Sequence, residues 1–284
     1  FSPAFIFNDI ILCFVRNDGN PRLSMIATVC GSLFNVVFDY IFIFPCNMGM
    51  LGAVLATGFS PVVGLTIMSP HWLGKKRGFH FRKLVPDADS IRTNISLGFP
   101  SLLSQISAAI VMIVFNMLIL DLEGNTGVAA YGVIANISLV VLSFYTGIAQ
   151  GIQPLVSHSY GRKKTDGIRQ FLRYAMISMV ILSAVMYLIL FVFADPIASA
   201  FNSEHNAKLQ EIAVTGLKLY FTSLVFAGFN IILSMYFTSV EKALPAQIIS
   251  LLRGLILIIP IAFLFANLWD MTGVWMSFPA TELV

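Results

Sequence analysis

Asn35 and Asp39 stand four residues apart in the apolar run Phe34-Asn35-Val36-Val37-Phe38-Asp39-Tyr40-Ile41-Phe42-Ile43-Phe44. That spacing is about one helical turn, so both side chains share a face of the helix. Gly52-Ala53-Val54-Leu55-Ala56-Thr57 then opens the next apolar segment and adds a hydroxyl. A carboxylate inside lipid costs about 3 kcal/mol, which makes it a functional site by default. Beside neutral oxygens from Asn35 and Thr57, the Asp39 carboxylate can hold a proton or a small hard cation such as Na⁺. No cofactor is expected, and no metal beyond a sodium ion at Asp39. Cys13, Cys30 and Cys46 have no metal-ligand spacing, and His71, His80, His158 and His205 fall in expected loops, also without such spacing. No catalytic constellation sits within a span, so an enzyme is not expected.

The elements that position these groups follow from composition. Hydrophobic residues make up 57% of the chain and charged residues 11%, and the mean hydropathy is +0.85. A soluble domain carries about 25% charged residues. Apolar stretches run over Phe1–Phe14 (partial), Ser24–Pro45, Gly49–Met68, Ile95–Leu120, Val128–Val156, Tyr174–Phe193, Ala213–Thr238, Gln247–Phe265 and Gly273–Val284 (partial). Backbone polar groups in lipid must be satisfied within the segment, so these spans are helices. The expected fold is an all-α integral membrane protein. Phe1 is not an initiator Met, and both chain ends lie inside apolar runs, so the chain is expected to be part of a longer protein.

Loop charges orient the spans. Arg16, Arg22, Lys75, Lys76, Arg77, Arg82, Lys83, Arg92, Arg162, Lys163, Lys164, Arg169, Arg173 and Lys242 fall in one alternating set of loops. The other set is acidic, with Asp121, Glu123, Asp195, Glu204, Glu211 and Asp270. The basic set is cytoplasmic by the positive-inside rule. The net charge of +3 is therefore a topology signal, and no nucleic-acid partner is expected. Arg253, a turn or two inside its span, is expected to snorkel to the cytoplasmic surface.

A long-period repeat sets the architecture. Phe7-Asn8-x-Ile10 matches Phe229-Asn230-x-Ile232, Pro21 matches Pro245, Gly31 matches Gly254, and Gly52-Ala53-Val54 matches Gly273-Val274-Trp275. The matches are collinear and parallel. Their period of about six spans fits a known transporter plan of two parallel halves. The chain is then the second half, and somewhat more, of a twelve-helix transporter made of two pseudo-symmetric six-helix bundles. Residues 1–70 supply the last helices of the N-terminal bundle, 71–92 a cytoplasmic linker with an interfacial Leu84-Val85-Pro86, and 93–284 a C-terminal bundle truncated at its last helix. The repeat also serves as a control: Asn35 falls opposite Ile258, Asp39 opposite Ala262 and Thr57 opposite Phe278. The second copy builds the same helices with apolar residues, so the fold does not need these polar groups.

Further residues carry a family resemblance. Arg16, Gly19 and Pro21, then Asn35 and Asp39, then Gly52-Ala53 and Ala56-Thr57 resemble helices four to six of the MATE (multidrug and toxic compound extrusion) transporters. Gly98-Phe99-Pro100, Ala130-Tyr131-Gly132, Gly147-x-x-Gln150-Gly151-x-Gln153-Pro154 and Tyr160-Gly161-Arg162 resemble helices seven and eight. The likeness covers essentially the whole chain and is closest to the DinF/MepA-like branch. It implies antiport of cationic amphipathic compounds against H⁺ or Na⁺ across a bacterial inner membrane. It also implies a cation network in which Asn35, Asp39 and Thr57 match three members, with a helix-one Asp as the fourth. A second branch places acids in helices seven and ten; here neither helix has one, which weakens ion binding in the second half.

Gln105, Met112, Asn116, Tyr131, Asn136 and Gln150 lie within spans of the second half. Amides beside Met and aromatic rings suit flat, apolar cations through dispersion and cation–π contacts. The alternative for each is interhelical hydrogen bonding. Gln150-Gly151-x-Gln153-Pro154 reads as a helix irregularity. The expected partners are small cationic amphipathic molecules and the lipid bilayer, with the protein a monomer. The rival functions are a lipid-linked precursor flippase, which needs intramembrane Arg or Lys for phosphates, and a membrane enzyme or receptor.

Overall fold

The computed structural model describes residues 2–74, 78 and 87–284, with the backbone alone at Trp72. Every regular element among them is helical. Two compact units, Phe1–Val85 and Pro86–Val284, each hold their own core. Most of the linker expected over 71–92, including Lys75, Lys76, Arg77, His80, Arg82, Lys83 and Leu84-Val85-Pro86, lies outside the described residues.

The first unit contains α1 (Ser2–Asn17), α2 (Pro21–Ile43) and α3 (Gly49–Trp72). The Asn20 side chain caps α2 by accepting from Leu23 N at 3.3 Å, and Pro21 occupies the first turn, where its missing N–H costs nothing. The backbones of α2 and α3 approach closely at Gly31, whose carbonyl accepts from Ser60 Oγ at 2.8 Å. Ile11, Val15, Ala27 and Met68 form the buried apolar centre. His71, expected in a loop, ends α3, and its Nε2 lies 3.0 Å from Asp18 Oδ2.

In the second unit, α4 (Ala88–Gly161) is followed by α5 (Thr165–Val192), α6 (Ala194–Phe201), α7 (Ala207–Tyr220) and α8 (Leu224–Ser239). The helices α9 (Ala243–Leu251) and α10 (Ile258–Leu283) complete it, joined by the π-helical turn Leu252–Ile256. α4 is 74 residues long, far beyond the roughly 20 that cross a bilayer. Gly124, at φ 62° and ψ −155°, breaks it into two legs, and only glycine takes that conformation cheaply. Trp269 and Asp270 break α10 in the same way. The legs match the expected spans, and six helices, counted before these breaks, are long and apolar enough to cross a membrane.

Two further details differ from expectation. α6 fills a stretch read as loop, held by Asn202, whose Nδ2 donates to Asn206 O at 2.9 Å and whose Oδ1 accepts from Asn206 N at 3.0 Å. The backbone of α4 also stays helical through Pro154, where an irregularity was expected.

The core of this unit is aromatic. Phe115, Tyr131 and Trp275 stack in series, with centroids 5.6 and 6.3 Å apart. Tyr145 shares a 2.8 Å hydrogen bond with Ser183. Gly216 lies against Ile134 and the Trp275 ring, leaving no room for a Cβ.

Candidate functional site

α2 and α3 bring Asn35 and Thr57 together. Asn35 Nδ2 donates to Thr57 Oγ1 at 3.2 Å. With its nitrogen committed, Asn35 has its carbonyl Oδ1 left to offer a cation. One turn further along α2, Asp39 Oδ1 is buried and has no hydrogen-bond partner among the described residues. A buried acceptor left unsatisfied costs about 1–3 kcal/mol, so few native oxygens stay that way without a reason. The ring of Phe38 stacks on Phe34 at 4.0 Å and meets Phe42 edge-on at 5.4 Å, stiffening the turns that carry Asn35 and Asp39. Gly52 lets the start of α3 pass against Phe42, where a Cβ would sit 2.7 Å from the Phe42 Cβ. The oxygens these turns carry are one carboxylate, one amide carbonyl and one hydroxyl, types that a proton or a hard monovalent cation can use.

The second unit replaces all three. Ile258 and Ala262 are buried in its core, and Phe278 stacks on Tyr220 with centroids 4.5 Å apart. These positions serve packing there, in keeping with the apolar residues of the second repeat.

The second unit also contains a polar cluster that sequence reasoning missed. Arg253 does not snorkel. Its Nη2 and Nε donate to Glu282 Oε1 at 2.6 and 3.2 Å. Asn230 Nδ2 donates to Glu282 Oε2 at 2.8 Å and to the Glu282 carbonyl at 2.9 Å. Glu282 is 3% exposed. A carboxylate in one apolar run and a guanidinium in another were the signal available in the sequence. Neither falls in helix seven or ten, the places where the second branch carries its acids.

Of the six residues expected to line a substrate path, Gln105, Met112, Asn136 and Gln150 are exposed and Asn116 is half-buried. Gln105, Met112 and Asn116 follow one stripe of the first leg of α4 by helical period. Asn136 turns back, its Nδ2 donating to Gly132 O of its own helix at 2.8 Å. Tyr131 is 7% exposed and sits between Phe115 and Trp275. It belongs to the packed core and lines no open face.

A family model, MatE, matches residues 100–264. This chain belongs to the MatE family. Among the relatives of this MatE chain, the multidrug export protein MepA of Staphylococcus saprophyticus is 24% identical over the whole chain, which spans 62% of that protein's length. MepA of Staphylococcus aureus is 23% identical over 99% of the chain and 62% of its own length. A solved outward-facing multidrug resistance MATE family transporter superposes with a TM-score of 0.91 at 23% identity, over 99% of this chain and 63% of that one. At that identity the superposition speaks for the fold alone. The MatE chain is a multi-pass bacterial membrane protein built wholly of helices among its described residues.

Proposed function

We propose that this MatE chain works in a secondary active exporter, exchanging cationic amphipathic compounds for H⁺ or Na⁺ by alternating access. It has no catalytic role in this reading. Residues 1–70 belong to an N-terminal bundle, 71–92 to a linker and 93–284 to a C-terminal bundle. The observation that carries this reading is the orphaned Asp39 Oδ1, one turn from the Asn35–Thr57 hydrogen bond. An oxygen buried without a donor gains most when a cation arrives. Occupancy then favours whichever bundle geometry closes the site, which biases the face that is open.

The flippase reading needs intramembrane cations free to hold phosphate. The Arg253 guanidinium is neutralised by Glu282, which counts against it. Gln105, Met112, Asn116, Asn136 and Gln150 remain the candidates for substrate contact, and Tyr131 contributes through the core behind them.

The test is efflux of a cationic dye from vesicles holding the full-length protein, with a pH gradient and a sodium gradient imposed separately. One gradient is expected to drive efflux and the other to leave the dye in place. Efflux indifferent to both gradients would overturn the antiport reading.

A further inference from the structure

Arg253, Glu282 and Asn230 meet deep in the membrane. Arg253 lies ten residues beyond the start of α9, Asn230 nine before the end of α8, and Glu282 twelve beyond Asp270 at the break in α10. At 1.5 Å per residue each is about 14–18 Å from its helix end, close to the middle of a ~30 Å hydrocarbon layer. Positioning a guanidinium and a carboxylate at that depth is expensive even when they are paired.

The local backbone is unusual as well. Arg253 sits in the π-helical turn Leu252–Ile256, an irregularity frequent at functional sites. Its neighbour Gly254 lies against Ser107 of α4, where a Cβ would come within 2.6 Å of the serine. The turn therefore presses on the first leg of α4 on one side and holds Glu282 on the other.

The chemistry of Glu282 parallels that of Asp39. In each case a carboxylate lies near an asparagine, one turn away on the same helix for Asp39 and on a facing helix for Glu282, and the group that completes them is a cation. Here that cation is covalently attached. Both Arg253 contacts fall on Oε1 and the Asn230 contact falls on Oε2, so removing the guanidinium strips one carboxylate oxygen and leaves the amide in place. The guanidinium side chain is 21% exposed against 2% for the carboxylate. The guanidinium is thus the less buried member of the pair. Among the described residues, the Tyr220 phenol of α7 is in electrostatic reach of both, with Tyr131 of α4 next to it. By the repeat, Arg253 falls opposite Cys30, Glu282 opposite Pro61 and Asn230 opposite Asn8, so the charged pair is peculiar to the second half.

We propose that Glu282 and Asn230 form a second monovalent-cation site, in the C-terminal bundle, whose resident cation is the Arg253 guanidinium. A proton or sodium ion enters that site only when the guanidinium leaves. In this state the second half is closed to exchangeable cations by its own arginine, and one half of the molecule carries the exchange. The proposal stands independently of Asp39, because its test counts a difference between variants.

The experiment compares the purified full-length protein with Arg253→Gln, Arg253→Lys and Arg253→Gln/Glu282→Gln. Sodium binding is read by titration calorimetry and proton uptake in lightly buffered solution. Arg253→Gln is expected to bind one more cation per chain than the parent, as sodium or as a proton. Arg253→Lys keeps the parent's count, and the double variant returns to it. A folded Arg253→Gln with the parent's count for both cations overturns the proposal. Should Arg253→Gln be unfolded in sodium-free buffer, its recovery on adding sodium or lowering the pH supports the proposal equally, and failure to recover in either overturns it.

Discussion

Asp39 and Glu282 are both carboxylates held in apolar helices, and their surroundings differ. Glu282 is satisfied on both oxygens, whereas Asp39 has a buried oxygen with no donor among the described residues. Removing one partner of a buried pair costs about 3–5 kcal/mol, because the other charge is left uncompensated. Arg253→Ala is therefore expected to lower thermal stability by about that amount, and Arg253→Leu/Glu282→Leu by much less; unfolding midpoints in detergent give both values. Asp39→Asn replaces a carboxylate that has one buried oxygen without a donor among the described residues, so its midpoint is expected to equal or exceed the parent's. Asp39 was legible in the sequence because a lone acid in an apolar run stands out and the repeat gave it a control. Glu282 was not, because its partners come from two other helices, 52 and 29 residues away, and no local pattern joins them.

The breaks decide the count of helices. Gly124 is in the left-handed region at φ 62°, where a side chain costs about 1–2 kcal/mol. Gly124→Val is expected to lower stability by at least that much and to disturb the turn between the legs of α4, seen as faster proteolysis there. Gly216 packs against Ile134 and Trp275, so Gly216→Leu overpacks the aromatic core and is expected to cost about 1–3 kcal/mol or more by thermal unfolding. Hydropathy located the spans well because lipid demands long apolar runs. It missed α6, which is only eight residues long and amphipathic, held by the Asn202 and Gln210 side chains. Proline's missing N–H pointed to more disruption at Pro154 than the helix shows, since its backbone dihedrals stay helical there.

At the scale of the molecule, the two repeats distribute their polar groups unequally. The first carries an oxygen cluster with an unsatisfied carboxylate, and the second fills the matching positions with Ile258, Ala262 and Phe278 and places its own charges elsewhere. The all-helical membrane fold was legible in composition. The pairing of Arg253 and the burial of Tyr131 depend on packing between helices distant in sequence, which no single stretch encodes. On the proposed reading, an exporter would draw its driving force from the one site at Asp39. The most direct test is efflux of a cationic dye by full-length protein carrying Asp39→Asn, in vesicles under the gradient that drives the parent. Efflux is expected to fall to the level of empty vesicles while the protein stays folded and still binds the dye. Efflux at the parent's rate would contradict the assignment of Asp39 as the coupling carboxylate.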